Sequence, residues 1–133
     1  LTARVRGLAA DSARRAAVAG KDKEFRRLAV RKGGRTVLLD IDEIIYVSAK
    51  NKSTYVHTFE NQYIVDMTLA ELEDKLEGDA FHRVHRSFIV RLDAIKEILR
   101  SDGGYVVVVK DRDETRVPVA RRNVRGFREV VGF

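Results

Sequence analysis

Two pairs of adjacent glycines, Gly33-Gly34 and Gly103-Gly104, constrain the fold of this chain more than any other feature. Apolar residues alternate with other residues on both sides of the first pair, between residues 28 and 39. Strand-like segments flank the second pair between residues 95 and 110. Because glycine accepts the positive φ angles of tight hairpin turns, the sequence predicts two antiparallel hairpins.

Other short segments also have strand-like composition. They cover residues 44–49, 53–59, 63–66 and 115–119. Pro118 in the last of them has no amide hydrogen to give to a neighbouring strand, so this strand is expected at a sheet edge. The predicted fold class is mostly β, with several small antiparallel sheets and one or two short helices.

One helix is predicted by its capping residues. Thr68 is a good N-cap, Glu71 completes a capping box three residues later, and Gly78 ends the helix. A final helix is predicted at about residues 120–130. Its inward face is expected to consist of Val124, Phe127 and Val131, with Arg121, Arg125 and Arg128 facing outward.

Length and composition indicate one domain with a short appendage. The 133 residues are 44% hydrophobic and 35% charged, with a net charge of +6, which favours polyanionic partners. Residues 1–24 are rich in alanine and arginine and lack aromatics, so we interpret them as a helical linker, with a partly disordered tail as the alternative. Residues 25–133 form the predicted domain. The chain opens with Leu1 and is interpreted as the C-terminal part of a longer protein.

Cysteine is absent from the sequence, and no apolar run reaches the length of a membrane-spanning helix. No disulfide or thiolate metal site can therefore form in this chain. Both observations fit a cytoplasmic protein without a membrane partner.

The segment at residues 81–90 carries the strongest functional signal. It is interpreted as a short basic loop at the foot of a strand, with an apolar end anchored in the core. Its candidates for contact with DNA are Arg83, His85, Arg86 and Ser87. Guanidinium groups and hydroxyls suit base edges and phosphates. The alternative is an ordinary solvated loop with one buried histidine.

Two further segments are rich in hydrogen-bond donors. A predicted hairpin tip holds Lys50, Asn51, Lys52, Ser53 and Thr54, and the start of the last helix holds Arg121, Arg122, Asn123 and Arg125. Lysine binds phosphate as a point charge, and a helix N-terminus attracts anions through its free amides. Each segment alone is equally compatible with a solvated turn or helix face, so the hypothesis rests on three such segments in one small β protein.

Enzyme signals are weak. His82 and His85 have no third obvious metal ligand, and neither glycine pair lies between a strand and a helix as a phosphate-binding loop does. A metal-dependent nuclease using Asp40 and Asp42 stays an alternative, although a polar turn explains these residues as well. We expect no enzymatic activity and no cofactor.

Three segments together resemble the LytTR DNA-binding domain. The first is Phe81-His82-Arg83-Val84-His85-Arg86-Ser87-Phe88-Ile89-Val90 with Asp93-Ala94-Ile95 after it; the others are residues 30–36 with 42–47, and residues 117–124. They occur in the family's order, and the match covers about residues 25–133. The resemblance implies an elongated LytTR-like fold that reads DNA by loops entering successive major grooves.

Residue roles follow from the same resemblance. It implies base contacts by Thr54, Arg86 and Arg122. Phosphate contacts are expected from Lys50, Asn51, Lys52, Ser53, Arg83, His85, Ser87, Arg121, Asn123 and Arg125. Two departures matter: Arg91 stands where the family often has asparagine, and Ala120 where it usually has a serine that would cap the last helix.

The resemblance also implies a biological setting. The protein would be a bacterial transcription regulator of the response-regulator type, in a two-component-like system, with a receiver or sensor domain before the linker. Its partner would be double-stranded DNA, bound by a homodimer on tandem half-sites. The alternative is a protein-interaction or dimerisation module, in which residues 1–24 pair with their copy or with a sensor domain and make a dimer that reads two tandem half-sites.

Overall fold

The computed structural model describes residues 27–76, 78 and 80–133, and the predicted linker lies outside them. Within these residues, ten strands and two α-helices follow one another. They are β1 Arg27–Lys32, β2 Arg35–Asp40, β3 Tyr46–Lys50, β4 Ser53–His57, β5 Gln62–Val65, α1 Leu69–Lys75, β6 Phe81–His85, β7 Phe88–Arg91, β8 Ile95–Ser101, β9 Gly104–Val109, β10 Arg116–Val119 and α2 Arg121–Val131. Neither helix has the length and apolar character that a membrane span needs.

The strands form two antiparallel sheets, which confirms the predicted fold class. The first has seven strands in the order β2-β1-β5-β4-β3-β7-β6, and the second has three in the order β10-β9-β8. Both glycine hairpins are present as β1–β2 and β8–β9. Gly33 and Gly34 have φ angles of 57° and 80°, which a two-residue turn of this hand requires. Pro118 lies in the edge strand β10, as predicted.

Two apolar cores lie on opposite faces of the large sheet. The first packs α1, through Leu72 and Leu76, against the sheet, and the second packs α2 and the small sheet around the fully buried Phe127. Successive residues of a strand point to opposite faces. Strand β7 therefore contributes Ile89 to the first core and Val90 to the second.

Helix α1 begins where its capping residues predict. The Thr68 hydroxyl accepts a hydrogen bond from the Glu71 amide at 3.1 Å, and the Glu71 carboxylate accepts one from the Thr68 amide at 2.9 Å, so the capping box is formed. The prediction for the inward face of α2 was wrong at Val131, which is 38% exposed. This residue is the last of the helix, and Gly132 caps it.

Residues 81–90 are not a loop, and that interpretation was wrong. They form the hairpin β6–β7, and Arg86 and Ser87 alone make the turn. Val84, Ile89 and Val90 are fully buried, and their burial fixes both strands in the large sheet. The polar side chains of this segment are therefore displayed on a rigid scaffold.

Candidate nucleic-acid interface

Three donor-rich segments are the candidates for a nucleic-acid interface. We call residues 50–54 the first tip, residues 83–87 the second tip and residues 121–125 the third tip. Strands β3 and β7 are antiparallel neighbours, so the end of β3 lies beside the start of β7. The Ala49 amide donates a hydrogen bond to the Ser87 carbonyl at 3.0 Å. The first two tips therefore lie side by side at one end of the large sheet.

The first tip is a two-residue turn. Asn51 and Lys52 have φ angles of 52° and 66°, and their side chains are exposed, as is that of Lys50. Ser53 is half-buried. Thr54 is only 8% exposed, since it lies in β4 between Ala49 and Val65 of the adjacent strands. The tip thus displays cations and an amide, with Thr54 beneath them.

The second tip is organised around Arg83. Its guanidinium donates to the main-chain carbonyls of His85, at 3.2 Å, and Arg86, at 2.7 Å. The remaining terminal nitrogen lies 3.1 Å from a carboxylate oxygen of Glu73 on α1. By contrast, the side chain of Arg86 is exposed.

His85 is neutral in this setting. Burial is the main cause that lowers its pKa below the usual value, and the positive charges of Arg86 and Arg83 lower it further. The Ser87 amide donates to Nδ1 of His85 at 3.0 Å. Because Nδ1 accepts this bond, the ring proton lies on Nε2, so His85 retains one donor for a ligand.

Two hydrogen bonds to main-chain carbonyls of β6 fix the start of α2 beside the second tip. The Ala120 amide donates to the Val84 carbonyl at 2.8 Å, and the Asn123 side-chain amide donates to the Arg83 carbonyl at 3.2 Å. Ala120 is the N-cap of α2 and supplies no side-chain cap bond, as its sequence identity predicted. The first-turn amides of the helix are therefore without a side-chain acceptor at the cap.

An open cleft of about 540 Å³ separates the β6–β7 hairpin from α2. It brings together five candidates from the second and third tips and four neighbours. The lining residues are Glu73, Phe81, His82, Arg83, His85, Arg86, Arg122, Asn123 and Gly126. Glu73 is the carboxylate among them, and Arg83 pairs with it. Within residues 27–76, 78 and 80–133, no ion pair involves Arg86 or Arg122.

Two candidates of the third tip face elsewhere. Arg121 and Arg125 line a second, shallower groove with Arg128 and Phe133. A terminal nitrogen of Arg121 lies 3.6 Å from the position that a Cβ on Gly103 would occupy, so Arg121 rests against the β8–β9 turn. The two faces of α2 are therefore both basic, but only Arg122 and Asn123 share the cleft with Arg86.

The nuclease alternative would use Asp40 and Asp42, which lie in different surroundings. Asp40 lies 3.5 Å from the guanidinium of Arg27, and Asp42 belongs to a short 3-10 turn after β2. In the described part of the chain, no group of three or more histidine and carboxylate side chains is placed to hold a metal ion.

Sequence reasoning missed Glu73. It lies on the exposed side of α1, ten residues before the arginine that it contacts, and no local motif marks it. The contact forms because α1 packs beside the β6–β7 hairpin, which is a tertiary arrangement. An exposed acidic residue in a basic protein was the one available signal, and it is too common to be specific.

The chain is similar to known proteins of one family. The family model of the LytTr DNA-binding domain matches residues 34–132. The sensory transduction protein LytT of Oceanobacillus iheyensis is 35% identical over 103 residues, which are 76% of this chain and 42% of that protein. The transcriptional regulatory protein YpdB of Escherichia coli K12 is 37% identical over 101 residues, 75% of this chain and 41% of that protein.

A solved LytTr DNA-binding domain from Bacillus cereus has the same fold. It superposes with a TM-score of 0.75 at 30% identity, and the match covers 80% of this chain and 97% of that domain. The chain spans less than half the length of the two curated relatives, at 42% and 41%.

Proposed function

This chain belongs to the LytTR family of DNA-binding domains, and we propose that it recognises specific duplex sequences through its three tips. The family is one of DNA-binding domains found in transcriptional regulators. The finer statement, that the tips enter the major groove and read bases, is the proposal.

One observation carries this proposal. The exposed guanidinium groups of Arg86 and Arg122 line the same cleft, and neither has an ion-pair partner in the described part of the chain. A paired arginine would have to give up its carboxylate before it bound DNA. An unpaired one is ready to donate two parallel hydrogen bonds to O6 and N7 of guanine.

The remaining candidates suit phosphate contacts. Lys50 and Lys52 are exposed beside the second tip, and Arg121 and Arg125 are exposed on α2. Such contacts set the register of the protein on the duplex and give affinity without sequence information. A base contact by Thr54 stays a prediction, and its burial means that the β3–β4 turn would have to open for it.

Selection from random duplexes at a stated salt concentration tests the proposal. We expect enrichment of a short motif that contains guanine at two positions, one lost in Arg86→Ala and the other in Arg122→Ala. Recovery of unenriched sequence by the unaltered chain would refute specific binding. The same duplexes incubated with Mg²⁺ or Mn²⁺ test the nuclease alternative, for which cleavage is the positive result.

The wider setting is part of the proposal. The relatives named above are a sensory transduction protein and a transcriptional regulatory protein. We infer a bacterial signalling regulator that acts in the cytoplasm, with a receiver or sensor domain before the linker of residues 1–24. We further propose a homodimer on tandem half-sites. Sedimentation with duplexes carrying one or two copies of the selected motif measures the stoichiometry, and a single chain on the two-copy duplex would argue against the dimer.

A further inference from the structure

Arg83 uses all three of its guanidinium nitrogens inside the protein. Nε and one terminal nitrogen bond to the carbonyls of His85 and Arg86, and the other terminal nitrogen bonds to Glu73. Its side chain is 27% exposed, against 50% for that of Glu73. Three of its five N–H donors are therefore committed within the protein, which leaves two for a phosphate.

The main chain of Arg83 is also engaged. Its carbonyl accepts the bond from the Asn123 side chain, and Asn123 follows Arg122 in the first turn of α2. The strand pairing of β6 with β7 shifts register between Arg83 and His85, so this part of the hairpin departs from a regular ladder. One residue therefore touches the turn that carries Arg86 and the helix that carries Arg122.

We propose that Arg83 is a positioning residue, which sets the two reading arginines in their relative places and so governs sequence discrimination. This inference rests on the proposed function of Arg86 and Arg122. It replaces the role in phosphate binding that the family resemblance implied for Arg83, and the experiment below separates the two roles.

The planar guanidinium is essential to this role. It presents donors at fixed angles, so it can hold two carbonyl oxygens and a carboxylate simultaneously. A lysine ammonium is a compact point charge that keeps the charge but cannot hold this fork. Arg83→Lys therefore preserves a phosphate contact and removes the positioning.

Arg91→Lys is the matched control. Arg91 lies at the other end of the same hairpin, and its Nε donates to the Ile44 carbonyl at 2.7 Å in a half-buried site. Arg91→Lys also loses a hydrogen bond from a guanidinium Nε to a main-chain carbonyl. It loses this bond in the same hairpin, but far from the turn. Any effect of general destabilisation appears in both variants, and an effect on positioning appears in Arg83→Lys alone.

The DNA experiment compares the Kd of each variant for the selected duplex and for a scrambled one, over a range of salt. For Arg83→Lys we expect the ratio of the two values to fall by about tenfold or more, with an unchanged salt slope. The preference should relax at the guanine position assigned to Arg86, because the bond from Asn123 to the main-chain carbonyl of residue 83 remains. Arg91→Lys should retain the ratio within about twofold. Retention of the ratio by Arg83→Lys would overturn the proposal.

Hydrogen exchange in the free protein gives a readout that does not need DNA. The Ser87 amide is bonded to His85 within the turn, so we expect its exchange to accelerate about tenfold in Arg83→Lys and not in Arg91→Lys. Equal exchange in the two variants would overturn the positioning role. If the unaltered chain does not discriminate between duplexes, the proposed function fails, and exchange alone then decides whether Arg83 orders the turn.

Discussion

The first and second tips are both two-residue turns, but they are held in different ways. In the second tip, Arg83 and His85 donate or accept hydrogen bonds with the main chain of the turn itself. In the first tip, no hydrogen bond found among the described residues ties the side chain of Asn51 or Lys52 to the turn. That turn relies on strand pairing and on two non-glycine residues with positive φ.

This difference indicates a division of roles. A turn braced by its own side chains presents the next residue in a defined direction, which a bidentate contact with a base requires. A turn that relies on its strands presents charge with less directional control, which is sufficient for a phosphate. The second tip is therefore suited to reading sequence, and the first to adding affinity.

The largest expected effect is on DNA binding, where substitutions in the two tips should act differently. Arg86→Ala should cost about 1–3 kcal/mol on the selected duplex and relax preference at one base pair. Lys52→Ala should weaken all duplexes alike and reduce the salt slope by about one. Titrations of matched and single-mismatch duplexes at several salt concentrations measure both quantities. If the two variants gave the same pattern, the division of roles would be wrong.

A buried histidine in the β3–β4 hairpin, which carries the first tip, should give the next largest effect, on stability. His57 stacks on Tyr46 with ring centroids 4.0 Å apart, and its Nε2 lies 2.8 Å from the Ser48 hydroxyl. Burial lowers the pKa of His57 from 6.5 to about 4, although the charge of Asp111 acts in the opposite direction. The folded protein therefore resists protonation of this ring more than the unfolded chain does.

The contribution of His57 to the free energy of unfolding should consequently be fully present above pH 6.5. It should fall as the pH drops towards 4, because only the unfolded chain then gains the proton at His57. We expect this residue to contribute about 2 kcal/mol to the loss. Urea unfolding between pH 7 and pH 4 measures it. His57→Phe keeps an aromatic ring against Tyr46 and should flatten the profile; a profile as steep as that of the unaltered chain would contradict the assignment.

The smallest effect tests the conformation of the first tip. Lys52 has a φ of 66°, which glycine adopts without steric cost. Lys52→Gly should therefore stabilise the free protein by about 0.5 kcal/mol while it weakens binding to every duplex. Urea unfolding and DNA titration of this variant should move in opposite directions. A loss of stability would mean that the lysine side chain supports the turn.

Local signals in the sequence predicted most of the elements. The glycine hairpins and the Thr68 capping box depend on residues within a few positions of one another, and both are present. The error at residues 81–90 arose because polar residues dominate the first half of the segment and a register shift between Arg83 and His85 breaks the alternation that marks a strand. The prediction of Val131 as buried failed because helical periodicity gives the face of a residue but not whether another element covers that face at the end of the helix.

The candidate site was predictable in its members but not in its connections. The sequence marked Arg83, Arg86 and Arg122 as candidates from their neighbours. It could not show that Arg83 is committed to Glu73 and Asn123, which are 10 and 40 residues away. These contacts follow from the packing of two helices against one hairpin, and a linear pattern contains no record of that packing.

The oxygens that brace the second tip belong to the main chain at residues 85 and 86. The side chain at position 86 takes no part in its own support, so other amino acids are tolerated there without dismantling the turn. If Arg86 reads a base as proposed, a lineage that carries this scaffold can change its preferred base pair by altering a single codon. Recognition and foldability would then be free to evolve independently at this position.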